Sequence, residues 1–346
     1  MTGGRTRSAR GVRRFARGLA ALIAGVLFLG LFAMLALRVD AALREQGDRR
    51  ALAGGEGRFV QAAGLDVHIE EAGPVDGPAV MFIHGTLAWT GTWRHILARV
   101  GAAGYRAIAI DLPPFGFSQR PAGLEYGPEA QAARIVAVLD ALGIEKAVLV
   151  GHSYGGGATV EAAMRSTIEV PALVLVDVAL DFRAPDSAAG GRTGPDRLLE
   201  IGSVRNLIVA ATLTNRLLTR LGLERFVFDP AVVTDARVAL YQKPLAVEGT
   251  TDAVGKWLVS DLLAVHHGAW SARWDKYGEV LTMPTLVVWG EQDTVTPPDQ
   301  GRRLAAMLPN AELVMLDGIN HIPHLEDPDR FFEALRTFLD RTVGAR

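Results

Sequence analysis

The stretch AVLVGHSYGGGAT, residues 147–159, decides the fold. It begins as an apolar run suited to a buried strand, crosses Gly151, His152, Ser153 and Tyr154, and continues into small residues suited to a helix. Gly151, Gly155, Gly156 and Gly157 lack a β-carbon, so the backbone there can turn sharply and let another segment come close. A strand, a tight turn carrying one serine and a helix make the context of a G-x-S-x-G elbow, which lifts a hydroxyl clear of a sheet and aims it at a helix N-terminus.

The chain around this elbow alternates. RFVQAAG and LDVHIEEAG read as two early strands, and AVMFIHG, YRAIAIDLP, KAVLVGHS, ALVLVDVA, TLVVWGEQD and AELVMLDG are short apolar runs that end in polar or glycine residues. Helical stretches separate them, among them TWRHILARVGAAG, GPEAQAARIVAVLDALG, PPDQGRRLAAML and DPDRFFEALRTFLDR, where Asp327 caps and Pro328 opens the last helix. Continuous apolar strands separated by helices predict an α/β fold: a mostly parallel eight-stranded sheet flanked by helices. Between about Asp181 and Tyr277 the alternation stops and amphipathic stretches take over, which predicts a helical cap inserted after strand 6.

The N-terminus has another character. Residues 18–37, GLAALIAGVLFLGLFAMLAL, carry no charge and as a helix would span about 30 Å, the thickness of a bilayer's hydrocarbon core. Arg5, Arg7, Arg10, Arg13, Arg14 and Arg17 precede it without an acidic residue, so the positive-inside rule keeps residues 1–17 cytoplasmic and sends the remainder to the outer, periplasmic or extracytoplasmic, side. A cleaved signal peptide is the rival, but the apolar run is long for one and no clear small-x-small site follows it. Residues 38–57 read as a juxtamembrane linker, a short charged helix followed by a glycine-rich joint, and the folded domain is expected over 58–343.

Composition excludes several functions. A net charge of −2 argues against a nucleic-acid partner, which would usually meet a basic face. No cysteine is present, so disulfides, thiolate catalysis and cysteine-ligated metals are ruled out. No H-x-x-x-H or carboxylate cluster marks a metal site, and no cofactor is expected.

Ligands of open α/β sheets bind beyond the carboxyl ends of the strands, so the residues ending each strand are the ones to collect. An unaided serine is a poor nucleophile, and Ser153 needs a base that is itself held by a third group. Of eight histidines, His321 in LDGINHIPHLEDP sits just past the last strand, with His324 its nearest competitor. His68 is expected to point off a strand, His95 to lie on a helix surface, His84 to fasten a loop, and His266 and His267 to fall in the cap. Asp293, ending TLVVWGEQD, is the preferred orienting acid and Asp177, ending ALVLVD, its rival. An oxyanion would be met by the backbone N–H groups of Tyr154 and of Thr86, or alternatively Leu87, after His84-Gly85.

At this point the chain from about residue 58 to 343 resembles the α/β-hydrolase fold superfamily, in its single-domain form with a helical cap. The matching pieces are His84-Gly85, DLPPFGFS at 111–118, GHSYGG at 151–156, WGEQDTVTP at 289–297 and GINHIPHLEDP at 318–328, in the expected order. Pro114 departs from the usual D-x-P-G-x-G-x-S, in a loop that supports the fold more than the chemistry. Haloalkane dehalogenases and epoxide hydrolases of this type place aspartate at the elbow, where this chain has Ser153, and HGTLA lacks the H-G-G-P-G of proline iminopeptidases. The resemblance implies a membrane-anchored serine hydrolase acting on a small-molecule carboxylic ester, thioester or lactone with an apolar body, through an acyl-enzyme. Carbon–carbon bond hydrolysis and cofactor-free perhydrolysis are the alternatives, and a non-catalytic binding module is a further one. Leu213, Leu217, Leu218, Leu221, Phe226, Phe228 and Trp257 of the cap are the candidates to line an apolar pocket or to pack the cap on the sheet.

Overall fold

In the computed structural model, which describes residues 5–165, 167–180, 194–263 and 274–344, every expected strand is present. They are β1 (Arg58–Ala62), β2 (Leu65–Ala72), β3 (Ala79–Ile83), β4 (Arg106–Ile110), β5 (Ala147–His152), β6 (Leu173–Val176), β7 (Thr285–Gly290) and β8 (Ala311–Leu316). They form one 8-stranded sheet in the order β1-β2-β4-β3-β5-β6-β7-β8. The sheet is mixed where the sequence suggests a mostly parallel one: β2 runs antiparallel to both β1 and β4, and the other neighbours run parallel. The cause is local. Only Ala63 and Gly64, both at positive φ, join β1 to β2, and a two-residue connection of that kind builds a hairpin, never a crossover.

Helices cover both faces. The chain runs through α1 (Arg5–Arg44), α2 (Arg49–Ala53), α3 (Arg94–Ala102), α4 (Pro128–Ala141) and α5 (Gly155–Arg165). The cap contributes α6 (Gly194–Leu198), α7 (Gly202–Ala211), α8 (Thr219–Phe226), α9 (Asp235–Gln242), α10 (Thr250–Trp257) and α11 (Trp274–Val280), between β6 and β7 as the sequence predicts. The fold closes with α12 (Pro298–Met307), α13 (Pro323–Glu326) and α14 (Pro328–Thr342), where the Asp327 side chain accepts the Arg330 N–H at the cap. Alternate residues of β3 divide the core: Met81 and Ile83 pack with α4, α5 and α12, while Val80 and Phe82 pack with α3 and α14. All four are fully buried, each worth about 1.5–3 kcal/mol over exposure.

The motif around Asp111 fastens this frame. Its buried carboxylate accepts the N–H groups of Thr90 at 2.6 Å and Phe117 at 2.8 Å and meets His68 Nδ1 at 2.9 Å. Gly116, at φ +62°, lies so close that a β-carbon would collide with that carboxylate. The Pro113–Pro114 peptide in the same loop is cis. His68, read as pointing off its strand, is wholly buried, its Nε2 2.7 Å from the Glu56 carbonyl.

α1 contains one span, Phe15–Arg44, long and apolar enough to cross a membrane, and the most apolar stretch of it is not buried against the rest of the chain. Its last turns do more than link. Arg44 donates to the Thr214 carbonyl at 3.0 Å and to the Leu245 carbonyl at 3.2 Å, and buried Glu45 accepts the Thr251 N–H at 2.9 Å together with the Thr251 hydroxyl. The residues expected to form a linker are thus bonded to the cap.

Candidate active site

The elbow forms because β5 ends against β3 and β6 and the chain must reverse into α5 within a few residues. Ser153 takes φ +48°, a conformation costly for a residue with a side chain, and its N–H is held by the Val176 carbonyl at 3.0 Å. Glycine is needed on both sides of the turn. A β-carbon at Gly85 would come within 3.0 Å of Ser153 Cβ, and one at Gly155 would lie 2.5 Å from the His84 carbonyl oxygen.

The loops after β7 and β8 bring the expected partners to this hydroxyl. His321 Nε2 lies 2.8 Å from Ser153 Oγ and His321 Nδ1 lies 2.8 Å from Asp293 Oδ2. Ser153, Asp293 and His321 are all buried. Burial alone would raise the Asp293 carboxyl, but the His321 ring and the Thr296 hydroxyl at 2.6 Å hold it below the usual carboxylate range. Its other oxygen accepts the N–H groups of Val295 at 2.7 Å and Thr296 at 2.9 Å. A carboxylate satisfied in this way stays ionised beside an imidazole and fixes its tautomer.

Asp177, the rival acid, comes to the same place in a different state. Its Oδ1 accepts the Gly290 N–H at 2.9 Å. Burial and the charge on Asp293 push the Asp177 carboxyl well above its ordinary range, and Oδ2, without a hydrogen-bond partner, is left to face Asp293. Asp177, Asp293 and His321 present ligand atoms within 4.8 Å of one another, the spacing of a cation site. Their hydrogen bonds account for the cluster: Asp293 and His321 serve each other and Ser153, and Asp177 Oδ1 accepts the Gly290 N–H.

The remaining histidines separate cleanly. His324 is buried, stacked on Trp93 with ring centroids 3.9 Å apart, and held neutral by burial. His152, which burial pushes down to about 3, donates its Nε2 proton to the His321 carbonyl at 2.8 Å and so braces the loop that carries His321. His84 accepts the Leu112 N–H at 3.0 Å and fastens its loop as read from the sequence. His95 is exposed, and His266 and His267 lie outside the described residues.

The cap is stitched to the same loop. The His321 N–H donates to the Phe226 carbonyl at 3.0 Å, Asn320 donates to the Arg225 carbonyl at 3.2 Å, and Glu326 accepts the Phe228 N–H at 2.6 Å. Sequence reasoning passed over Asn320 and Glu326, although both lie in the motif it used. Among the described residues the N–H groups of Thr86 and Tyr154 have no protein acceptor. A small cavity of about 50 Å³ opens between elbow and cap, lined by Thr86, Tyr154, Ala179, Asp261 and Leu262 among others. Of the apolar cap candidates, Trp257 is buried against Tyr154 and Phe115, whereas Leu217 and Phe228 are 74% and 55% exposed. A larger hollow of about 780 Å³ lies at the opposite ends of the strands, around Pro74, Ala79 and Lys146, away from this chemistry.

A profile of the alpha/beta hydrolase fold family matches residues 78–328, and the chain belongs to that family. A 2-hydroxy-6-oxononadienedioate/2-hydroxy-6-oxononatrienedioate hydrolase of Pseudomonas sp. is 28% identical over 284 residues, 80% of this chain and 92% of the relative. A 2-hydroxy-6-oxo-2,4-heptadienoate hydrolase of Pseudomonas putida is 27% identical over 292 residues, 82% of this chain and 96% of the relative. Among solved structures, a membrane phospholipase A described as a bacterial virulence factor superposes with a TM-score of 0.66 at 24% identity, covering 96% of this chain and 100% of its own.

Proposed function

We propose that the protein is a serine hydrolase that cleaves a carbon–carbon bond next to a ketone, on substrates of the 2-hydroxy-6-oxo-dienoate type. The observation that carries the reading is the unbroken hydrogen-bonded series Asp293, His321, Ser153 in a chain whose curated relatives carry such substrates in their names. The ester hydrolysis implied by the family resemblance thereby becomes the second reading. In a 6-oxo-dienoate the group beyond the carbonyl is carbon, so hydrolysis must break a C–C bond. Once the 2-hydroxydiene has tautomerised to its 2-keto form with a proton on C5, the electrons of the C5–C6 bond can pass through the C3–C4 double bond onto the C2 oxygen.

In this account Ser153 adds to the C6 carbonyl while His321 takes its proton, and Asp293 stabilises the imidazolium. The Thr86 and Tyr154 N–H groups receive the oxyanion. The C5–C6 bond then breaks, the His321 imidazolium gives its proton to the departing dienolate, and water, deprotonated by the His321 ring so freed, releases the acyl group as a carboxylic acid while Ser153 regains its proton.

Ester cleavage uses the same steps with an alkoxide as the leaving group. It is favoured by one observation, the clasp of Arg44 and Glu45 on the cap, which ties the apolar helix to the element roofing the site. With residues 18–37 as a single-pass anchor and residues 1–17 cytoplasmic, the domain of 58–343 would stand on the outer side with its cap beside lipid-derived esters. The two readings part on substrate. Full-length protein in nanodiscs, given 2-hydroxy-6-oxohepta-2,4-dienoate and a series of p-nitrophenyl esters, should bleach the dienoate chromophore in a Ser153-dependent way. Turnover of esters alone would reverse the order of the two readings. A reporter fused after Arg346 that is active only in the cytoplasm would overturn the topology.

A further inference from the structure

The cavity between elbow and cap has an acid in its roof. Asp261 sits on the π-turn Leu258–Leu262 that follows α10, is 3% exposed, and lines the cavity together with Thr86 and Tyr154. Insertions of this kind in a helix recur at functional sites because they turn one side chain out of the regular register. Trp257 Nε1 donates to Asp261 Oδ2 at 3.1 Å, and the Tyr154 hydroxyl faces the same carboxyl. Behind Tyr154 the series continues: Gln131 donates to its hydroxyl at 2.8 Å, and Arg134 donates to Gln131 at 2.8 Å and to the Glu125 carbonyl at 2.6 Å. The nearest guanidinium of the series is therefore engaged two side chains away, and no described residue lining the cavity is basic.

We propose that Asp261 is a specificity-determining residue that admits substrates with an uncharged arm over Tyr154 and turns away those that bring a carboxylate there. The proposal rests on the serine-hydrolase reading and narrows its substrate class. A dienedioate carries a carboxylate at each end, so whichever end lies over Tyr154 faces Asp261. A monoacid such as a heptadienoate can turn its methyl ketone arm to the cavity and keep its carboxylate elsewhere, and an apolar ester meets no charge at all. The substrate class is thus a monoacid with an uncharged ketone arm, or a neutral ester, and not a diacid.

Two unit charges about 5 Å apart at an effective dielectric near 20 repel enough to lower binding about a hundredfold. Among the described residues, the ionisable groups facing Asp261 are Tyr154 from the elbow and Glu129 from α4, with Arg134 further along the series. Burial, aided by the charge of Glu129, pushes the Asp261 carboxyl up to about 7. The repulsion should then grow as the pH rises through neutrality, while a substrate carboxylate stays ionised throughout.

The test is a ratio. The kcat/KM of full-length protein is measured for 2-hydroxy-6-oxohepta-2,4-dienoate against the corresponding nona-dienedioate. In parallel, p-nitrophenyl hexanoate is measured against the p-nitrophenyl half-ester of adipate. In at least one pair the uncharged member should win by about a hundredfold at pH 8.5 and by much less at pH 5.5. A pH effect common to both members of a pair cancels in the ratio. Asp261→Asn should shrink the ratio to about tenfold or less, a change that general damage to the fold would not produce. Equal turnover of both members by the wild type, or a ratio indifferent to pH and to Asp261→Asn, overturns the proposal. Absence of turnover for all four substrates overturns the hydrolase reading itself and the proposal with it.

Discussion

The described residues include two buried histidine–aspartate pairs, and they differ in what completes them. His321 and Asp293 join at 2.8 Å beyond the carboxyl ends of β7 and β8, and the second ring nitrogen of His321 meets the Ser153 hydroxyl. His68 and Asp111 join at 2.9 Å across β2 and the loop after β4, but there the second nitrogen meets only the Glu56 carbonyl. A carbonyl accepts a proton's hydrogen bond and offers no proton to take. The Asp111 pair is consequently a clamp, and the environment asks its histidine to stay charged: burial opposes the charge, but Asp111 and the Glu56 carbonyl outweigh it and raise His68 above its usual value. A buried His–Asp contact is therefore no mark of catalysis by itself, and the hydroxyl at the strained elbow makes the difference.

That contrast can be broken experimentally, most severely at the elbow. Ser153→Ala should lower kcat by about 10⁶-fold, the size of effect seen when a triad nucleophile is deleted, with an unchanged melting temperature. Asp293→Asn should cost about 10⁴-fold, because the amide holds the wrong tautomer of His321, and steady-state kinetics with circular dichroism would check both variants. At the clamp the expected loss is of folding. His68→Gln leaves Asp111 buried without its cation and should destabilise by about 3–5 kcal/mol in urea unfolding, with activity per folded molecule retained. The sign with pH follows from the raised value. The stabilisation is complete below His68's unfolded value of 6.5 and fades as pH climbs through the higher folded one, so wild type and variant should converge in alkali. Asp177→Asn should do least, under about tenfold in kcat, since it keeps the shape of the side chain and an oxygen to accept the Gly290 N–H.

The elements legible in the sequence were those fixed by local pattern. Each strand followed from an apolar run with a polar end, the cap from the loss of alternation, and Ser153, Asp293 and His321 from their places just after β5, β7 and β8. Where meaning depends on distant neighbours, the pattern fell silent. Arg44 and Glu45 look like solvated charges of a linker, and become part of the cap only through Thr214, Leu245 and Thr251. Asp177 and Asp293 end adjacent strands in similar words, yet the carboxyl of one is pushed up and that of the other held down, because burial and neighbouring groups act after folding. His68 was placed on the right strand, but nothing local announced that Glu56 and Asp111 would enclose it. The direction of β2 was missed for the opposite reason: its short turn at Ala63-Gly64 carried the information, and the strand's apolar content did not.

The most direct test of the account is intact-mass analysis of the full-length protein after treatment with a fluorophosphonate. The wild type should gain one phosphonyl group, mapped to Ser153, whereas Ser153→Ala should gain none, and His68→Gln should label at the wild-type rate while His321→Ala labels at least about 10³-fold more slowly. Labelling that persists in Ser153→Ala, or that falls with His68 and not with His321, would contradict the assignment of the nucleophile and its base.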